Sequence, residues 1–126
     1  MLPDPLGFGV PRPIIGVVHL RPLPGSPRFG GTTGRLIDQA VDDAVTLAEN
    51  GADAIMIENF GDTPFFSTNV PRETLSWMTR IGTLIRGRTS LPLGVCVLRN
   101  DARASLAIAH AIDGQFIRVC ILGSQP

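Results

Sequence analysis

Apolar residues gather in four short runs: IIGVVHL (14–20), DAIMIENF (53–60), LPLGVCVL (91–98) and QFIRVCIL (115–122). Each is rich in β-branched residues and too short for a typical helix, so each predicts a strand. Hydrophobicity within the runs is nearly continuous, which predicts strands covered on both faces, as in a parallel sheet. The intervening segments carry the helical period instead. In 34–51, Ile37, Ala40, Val41, Ala44, Leu47 and Ala48 make one stripe, and Gly51 stands where a helix stops. In 70–89, Pro71 suits the first helical turn, and Leu75, Met78, Ile81 and Ile85 form the stripe. In 100–114, Asp101 fits an N-cap and Gly114 a stop.

Strand and helix therefore alternate from end to end, the pattern of right-handed parallel crossovers in an α/β fold. Function in such folds gathers at the carboxyl ends of the strands. Polar groups fall there: His19 after the first run, Glu58 and Asn59 after the second, and Arg99, Asn100 and Asp101 after the third. Strand alternation sorts the side chains further. Ile55 and Ile57 lie opposite Met56 and Glu58, and Val95 and Val97 opposite Cys96 and Leu98. Ile117, Val119 and Ile121 lie opposite Phe116, Arg118 and Cys120. One face is aliphatic; the other holds Glu58, Cys96, Arg118, Cys120 and, by analogy, His19.

An arginine in mid-strand calls for an anion when buried, and Glu58 is the expected partner of Arg118, since a carboxylate takes both prongs of a guanidinium. The pair reads either as a structural ion pair in a barrel interior or as a device that positions a ligand. His19 is the candidate general base, against a hydrogen-bonded structural histidine. Cys96 and Cys120 read as small buried hydrophobes or as a nucleophile or metal ligands; their spacing with His19 and Glu58 matches no zinc pattern, and no metal or cofactor is expected. The stretch PRFGGTTGR (27–35) is glycine-rich but lacks the lysine of a P-loop, and reads as a loop.

Composition narrows the chemistry. The 126 residues suit one domain, and 44% hydrophobic against 17% charged residues suits a packed core. All eleven basic residues are arginines, scattered along a chain of zero formal net charge, so no nucleic-acid partner is expected. Without lysine there is no Schiff-base chemistry, and without tyrosine one common acid/base group is missing. The proline-rich start does not read as a signal peptide, no apolar stretch reaches the roughly 18 residues that span a bilayer, and two cysteines suggest no secreted scaffold. A cytoplasmic, reducing setting is expected.

The stretches IIGVVHLRPLPGSPRF, ENFGDTPFF, LPLGVCVLRNDARASLAIA and QFIRVCIL resemble the BtpA/SgcQ family, in order, from about Pro13 to Leu122. The resemblance implies the N-terminal half of a TIM-type barrel of the ribulose-phosphate-binding class, and a membrane-complex biogenesis factor of photosystem I, peripheral to thylakoids in photosynthetic sources. Such relatives also occur outside photosynthesis, so the alternative is a barrel enzyme acting on a small metabolite, phosphorylated or not; the phosphate grip of such barrels comes from strands seven and eight, and phosphate binding is not carried over. The motif positions here are His19, Pro22, Pro24 and Gly25; Glu58, Asn59, Asp62 and Phe65; Arg99, Asn100 and Asp101; and Arg118. His19, Glu58 and Asp101 are then the proton-transfer candidates, and Asn59, Asp62, Arg99, Asn100 and Arg118 the ligand-binding ones. Phe65 and Phe66 serve as a cover or partner contact. The family pattern usually has asparagine where this chain has Cys96 and Cys120. A full barrel needs about 250 residues, so residues 1–126 are expected to form a truncated half-barrel with a bare face and free sheet edges. Self-association, or pairing with a complementary half or with subunits of a membrane complex, is the corresponding expectation, a non-functional fragment the other.

Overall fold

The computed structural model describes Asp4 and residues 6–120. Four strands, β1 (Ile15–His19), β2 (Ala54–Glu58), β3 (Leu93–Cys96) and β4 (Phe116–Ile117), alternate with three helices, α1 (Thr33–Glu49), α2 (Arg72–Arg86) and α3 (Ala102–Ala111). The strands make one parallel sheet in the order β1-β2-β3-β4. This is the α/β architecture expected of a partial TIM-type barrel.

The register puts every strand's aliphatic side on one face. Val18 faces Ile57, Ile57 faces Val95, and Val95 faces Ile117. That face packs on Ala40 and Ala44 of α1, Met78, Ile81 and Ile85 of α2, and Ile108 of α3. The two stripes predicted for α1 and α2 are thus inner faces of the helix layer, with Leu36 added to that of α1. β2 is buried along its whole length because it has neighbours on both sides and cover on both faces.

The opposite face follows the same parity. Val17, Met56, Gly94 and Phe116 form one row across the sheet. Gly94 is required there: a Cβ would come within 2.2 Å of the Phe116 ring. This face is less bare than expected, because Phe8 folds back and sets its ring 5.2 Å from that of Phe116. Asp4 holds the turn, its carboxylate accepting from the backbone N–H groups of Phe8 and Gly9.

The element ends differ from expectation in three places. β4 spans two residues rather than the 115–122 run; the ladder reaches one residue further through Arg118 N–H to Val95 O at 3.1 Å. Ile121 and Leu122 of that run lie outside the described residues. Pro71 is the N-cap of α2 and not its first helical residue. α3 ends at Ala111, and Asp113 takes the left-handed conformation (φ 58°) expected of Gly114. Gly114 then closes the helix by donating to Ala109 O at 2.7 Å.

Candidate functional site

Parallel pairing carries the sorted side chains to one end of the sheet. His19 pairs with Glu58 and Glu58 with Cys96. Val95 faces Ile117, which sets Arg118 beside Cys96. Four residues separated by up to ninety-nine positions therefore form one row at the carboxyl mouth of the half-barrel, on the face away from the helices.

Glu58 is the centre of the row. Its side chain is 5% exposed, whereas those of His19 and Arg118 are 54% and 49% exposed. Oε1 stands 3.3 Å from His19 Nε2, and Oε2 accepts a hydrogen bond from Arg118 Nη2. A buried carboxylate requires such partners, because water no longer solvates its charge. The register also sets Arg118 beside Cys96, where its positive charge favours the thiolate. Burial, and then the neighbouring Cys120, push the Cys96 thiol up to about 12, against the opposing pull of Arg118. Its Sγ lies 3.9 Å from that of Cys120.

Phe60 belongs to this site although sequence reasoning did not single it out. Its ring lies 4.6 Å from the His19 imidazole and is 55% exposed. The signal was present: continuing the alternation of β2 by one step places Phe60 on the side of Glu58.

The other expected site residues lie near the mouth but are engaged with backbone. Asn59 is buried, and its amide grips Leu98 at both ends, donating to Leu98 O at 3.2 Å and accepting from Leu98 N–H at 2.6 Å. Asp101, expected among the proton-transfer groups, is the N-cap of α3: Oδ1 accepts from Ala104 N–H and Oδ2 from Val70 N–H, both at 2.9 Å. Neither carboxylate oxygen is left pointing at the mouth without a backbone donor. Arg99 is exposed, and its N–H donates to Phe66 O at 3.0 Å, so the loops after β2 and β3 are stitched together. Asn100 sits half-buried in the same turn. Phe65 is half-buried and lines a small cleft with Asp62, Pro64, Val70 and Leu98, whereas Phe66 is 56% exposed.

Asp62 fastens the loop after β2 to the loop after β1, accepting from Leu23 N–H at 2.8 Å. Gly61 permits the approach, since a Cβ there would meet Pro22 N at 2.6 Å. Burial raises the Asp62 carboxyl above its ordinary value, partly offset by the bonds from Leu23 and Asn59. A raised folded value means that the folded state binds this proton more tightly than the unfolded one, so the ionised group detracts from stability at neutral pH, and the penalty fades as pH falls through the raised value. Asp62→Asn, which keeps the acceptor for Leu23, is expected to be at least as stable as wild type at neutral pH and to lose any advantage on acidification. Asp62→Ala is expected to lose about 1 kcal/mol. Urea unfolding at neutral and mildly acidic pH checks both; an Asn variant as damaged as the Ala variant overturns the assignment.

At the start of α1 the glycine-rich loop carries Thr32 as an N-cap without a side-chain capping bond, and Arg21, Arg28 and Arg35 line a shallow surface pocket beside it. Among the described residues, no group of three or more histidines, cysteines and carboxylates is placed to hold a metal ion, and no helix is long and apolar enough to cross a membrane.

Comparison with known proteins adds lineage to this geometry. The sequence profile of the BtpA family matches residues 10–125. An uncharacterized protein of Pyrococcus furiosus is 50% identical over 111 residues, covering 88% of this chain and 42% of the relative. The photosystem I biogenesis protein BtpA of Synechocystis is 44% identical over 115 residues, covering 91% of this chain and 40% of that protein. The sgc region protein SgcQ of Escherichia coli is 37% identical over 119 residues, covering 93% and 44%. The chain thus spans less than half the length of the curated relatives it matches.

Proposed function

The chain belongs to the BtpA family, and from that footing we propose that its barrel mouth binds a small anionic metabolite, phosphorylated compounds included, and exchanges a proton with it. One observation carries this reading: a buried carboxylate joins two cationic or basic groups that are themselves half open to solvent. Arg118 has five N–H donors, and those not engaged by Glu58 and Cys96 suit an incoming carboxylate or phosphate oxygen. When the His19 Nε2–H donates to Glu58, the other ring nitrogen carries a lone pair able to accept a proton. The imidazolium formed is stabilised by the carboxylate behind it. Phe60, against the imidazole ring, limits its rotation and covers one flank.

A thermal-shift screen of small phosphorylated and carboxylated metabolites tests this. A ligand at one hundred times its Kd stabilises by about 2.7 kcal/mol, a rise in Tm on the order of 10 °C for a domain of this size. The rise is expected for wild type and to shrink at least several-fold for His19→Ala. A library that shifts nothing sinks the reading.

A second reading is favoured by the name of the Synechocystis relative, a photosystem I biogenesis protein, and by two exposed rings beside the mouth, Phe60 and Phe66. Here the chain acts by binding subunits of a membrane complex. It expects Phe66→Ala to weaken partner capture and His19→Ala to leave it intact, the reverse of the metabolite reading.

A further inference from the structure

Two thiols face each other across the mouth, and neither the ion pair nor the proton transfer uses their chemistry. Cys96 closes β3 and is buried. Cys120 is exposed and lies two residues beyond Arg118, whose N–H makes the last ladder hydrogen bond among the described residues. Their sulfurs are 3.9 Å apart. An S–S bond is about 2 Å long, and the exposed partner sits past the hydrogen-bonded part of β4, so it can close that gap without breaking a ladder bond.

We propose that Cys96 and Cys120 are a redox-responsive dithiol that closes an intramolecular disulfide across the barrel mouth. The inference stands apart from the metabolite reading and does not depend on it. The oxidant is a low-molecular-weight disulfide. The Cys120 thiolate attacks one sulfur of that disulfide, forming a mixed disulfide and releasing one small thiolate, which takes up a proton. Cys96 then loses its proton and attacks the Cys120 sulfur, expelling the second small thiolate. Two protein thiols are oxidised, and one small disulfide is reduced to two thiols.

The order of events follows from access. Cys120 meets solvent, while Cys96 is sheltered and its thiol is held protonated by burial and by the neighbouring sulfur. Burial still shelters Cys96 after Cys120 is capped, while Arg118 continues to favour its thiolate. The arrangement also explains why the ring closes within one chain: a buried thiol beside its partner is reached by that partner before a second molecule can approach it.

The test treats the reduced 126-residue chain with oxidised glutathione, caps remaining thiols with iodoacetamide, and maps peptides without reduction. The expected product is one cross-linked peptide pair joining Cys96 to Cys120, with a mass lower by two hydrogens, about 2 Da, and a single-chain band on a non-reducing gel. Both cysteines capped by iodoacetamide, glutathione retained on Cys120, or a disulfide between chains would each overturn the proposal. The variants separate the steps. Cys96→Ser is expected to trap glutathione on Cys120, and Cys120→Ser to slow reaction at Cys96 at least tenfold. Melting curves under reducing conditions check that both variants fold, and the wild-type map decides the matter if either does not.

Discussion

Asp101→Ala is expected to lower the unfolding free energy by about 3 kcal/mol. The residue lies seven parts in a hundred exposed, and both carboxylate oxygens accept backbone N–H groups that have no other described acceptor. The bond to Ala104 caps α3, and loss of an N-cap costs about 1 kcal/mol. The bond to Val70 fastens the segment that enters α2, and a charge-assisted hydrogen bond contributes about 1.5–3 kcal/mol. The backbone oxygen of Asp101 also takes the Ser105 N–H and hydroxyl, and the same hydroxyl accepts from Val97 N–H. Slackening this turn therefore loosens the end of β3 as well. Asp101→Asn separates the two bonds: its oxygen can cap α3, but its NH₂ group confronts the Val70 N–H as donor against donor. It is expected to recover about half of the loss. Urea unfolding measures both, and an Ala variant within about 0.5 kcal/mol of wild type would show that the carboxylate pins nothing.

Arg118→Met is expected to cost about 2 kcal/mol, and the double variant Glu58→Leu/Arg118→Met to regain most of it. Removing one member of a fully buried pair costs about 3–5 kcal/mol, because the other charge is stranded. Here the loss is smaller, since the guanidinium is half exposed and His19 remains 3.3 Å from the stranded carboxylate. Substituting both members by apolar side chains removes the stranded charge along with its partner. An exposed ion pair behaves differently: each single substitution changes stability by about 0–1 kcal/mol, and the double variant is their sum. A double-mutant cycle on the unfolding free energy distinguishes the two, and strict additivity would remove the buried carboxylate from the centre of the site. The same Arg118 variant is expected to lose the ligand-induced rise in Tm, which ties the stability experiment to the proposed function.

The strands, the helices and the sorting of side chains onto two faces were all legible in the chain, because each depends on a local period. The aliphatic parity of Ile55 and Ile57, or of Val95 and Val97, needs no tertiary knowledge beyond the assumption of parallel neighbours. With that assumption, His19, Glu58, Cys96 and Arg118 fall in one row from residue order alone. Phe60 was equally available by parity but was hidden inside an apolar run. Asn59 and Asp101 were harder. An amide and a carboxylate at a strand end look the same whether they face a ligand or a neighbouring backbone.

Residue order alone settles which side chains share a face and an end: periods of two and of about 3.6 are properties of the backbone and are written into the order of side chains. Tertiary structure alone decided which polar groups remain available. Asn59 meets Leu98, Asp62 meets Leu23 and Asp101 meets Val70 across separations of 39, 39 and 31 residues. Only the packing of the loops brings a backbone N–H to within 3 Å of a particular oxygen, as with Leu23 and Asp62 at 2.8 Å. The same packing leaves Glu58 facing an imidazole and a guanidinium, and two thiols facing each other. Buried polar groups must find partners wherever the folded chain supplies them, and no one-dimensional pattern records where that will be.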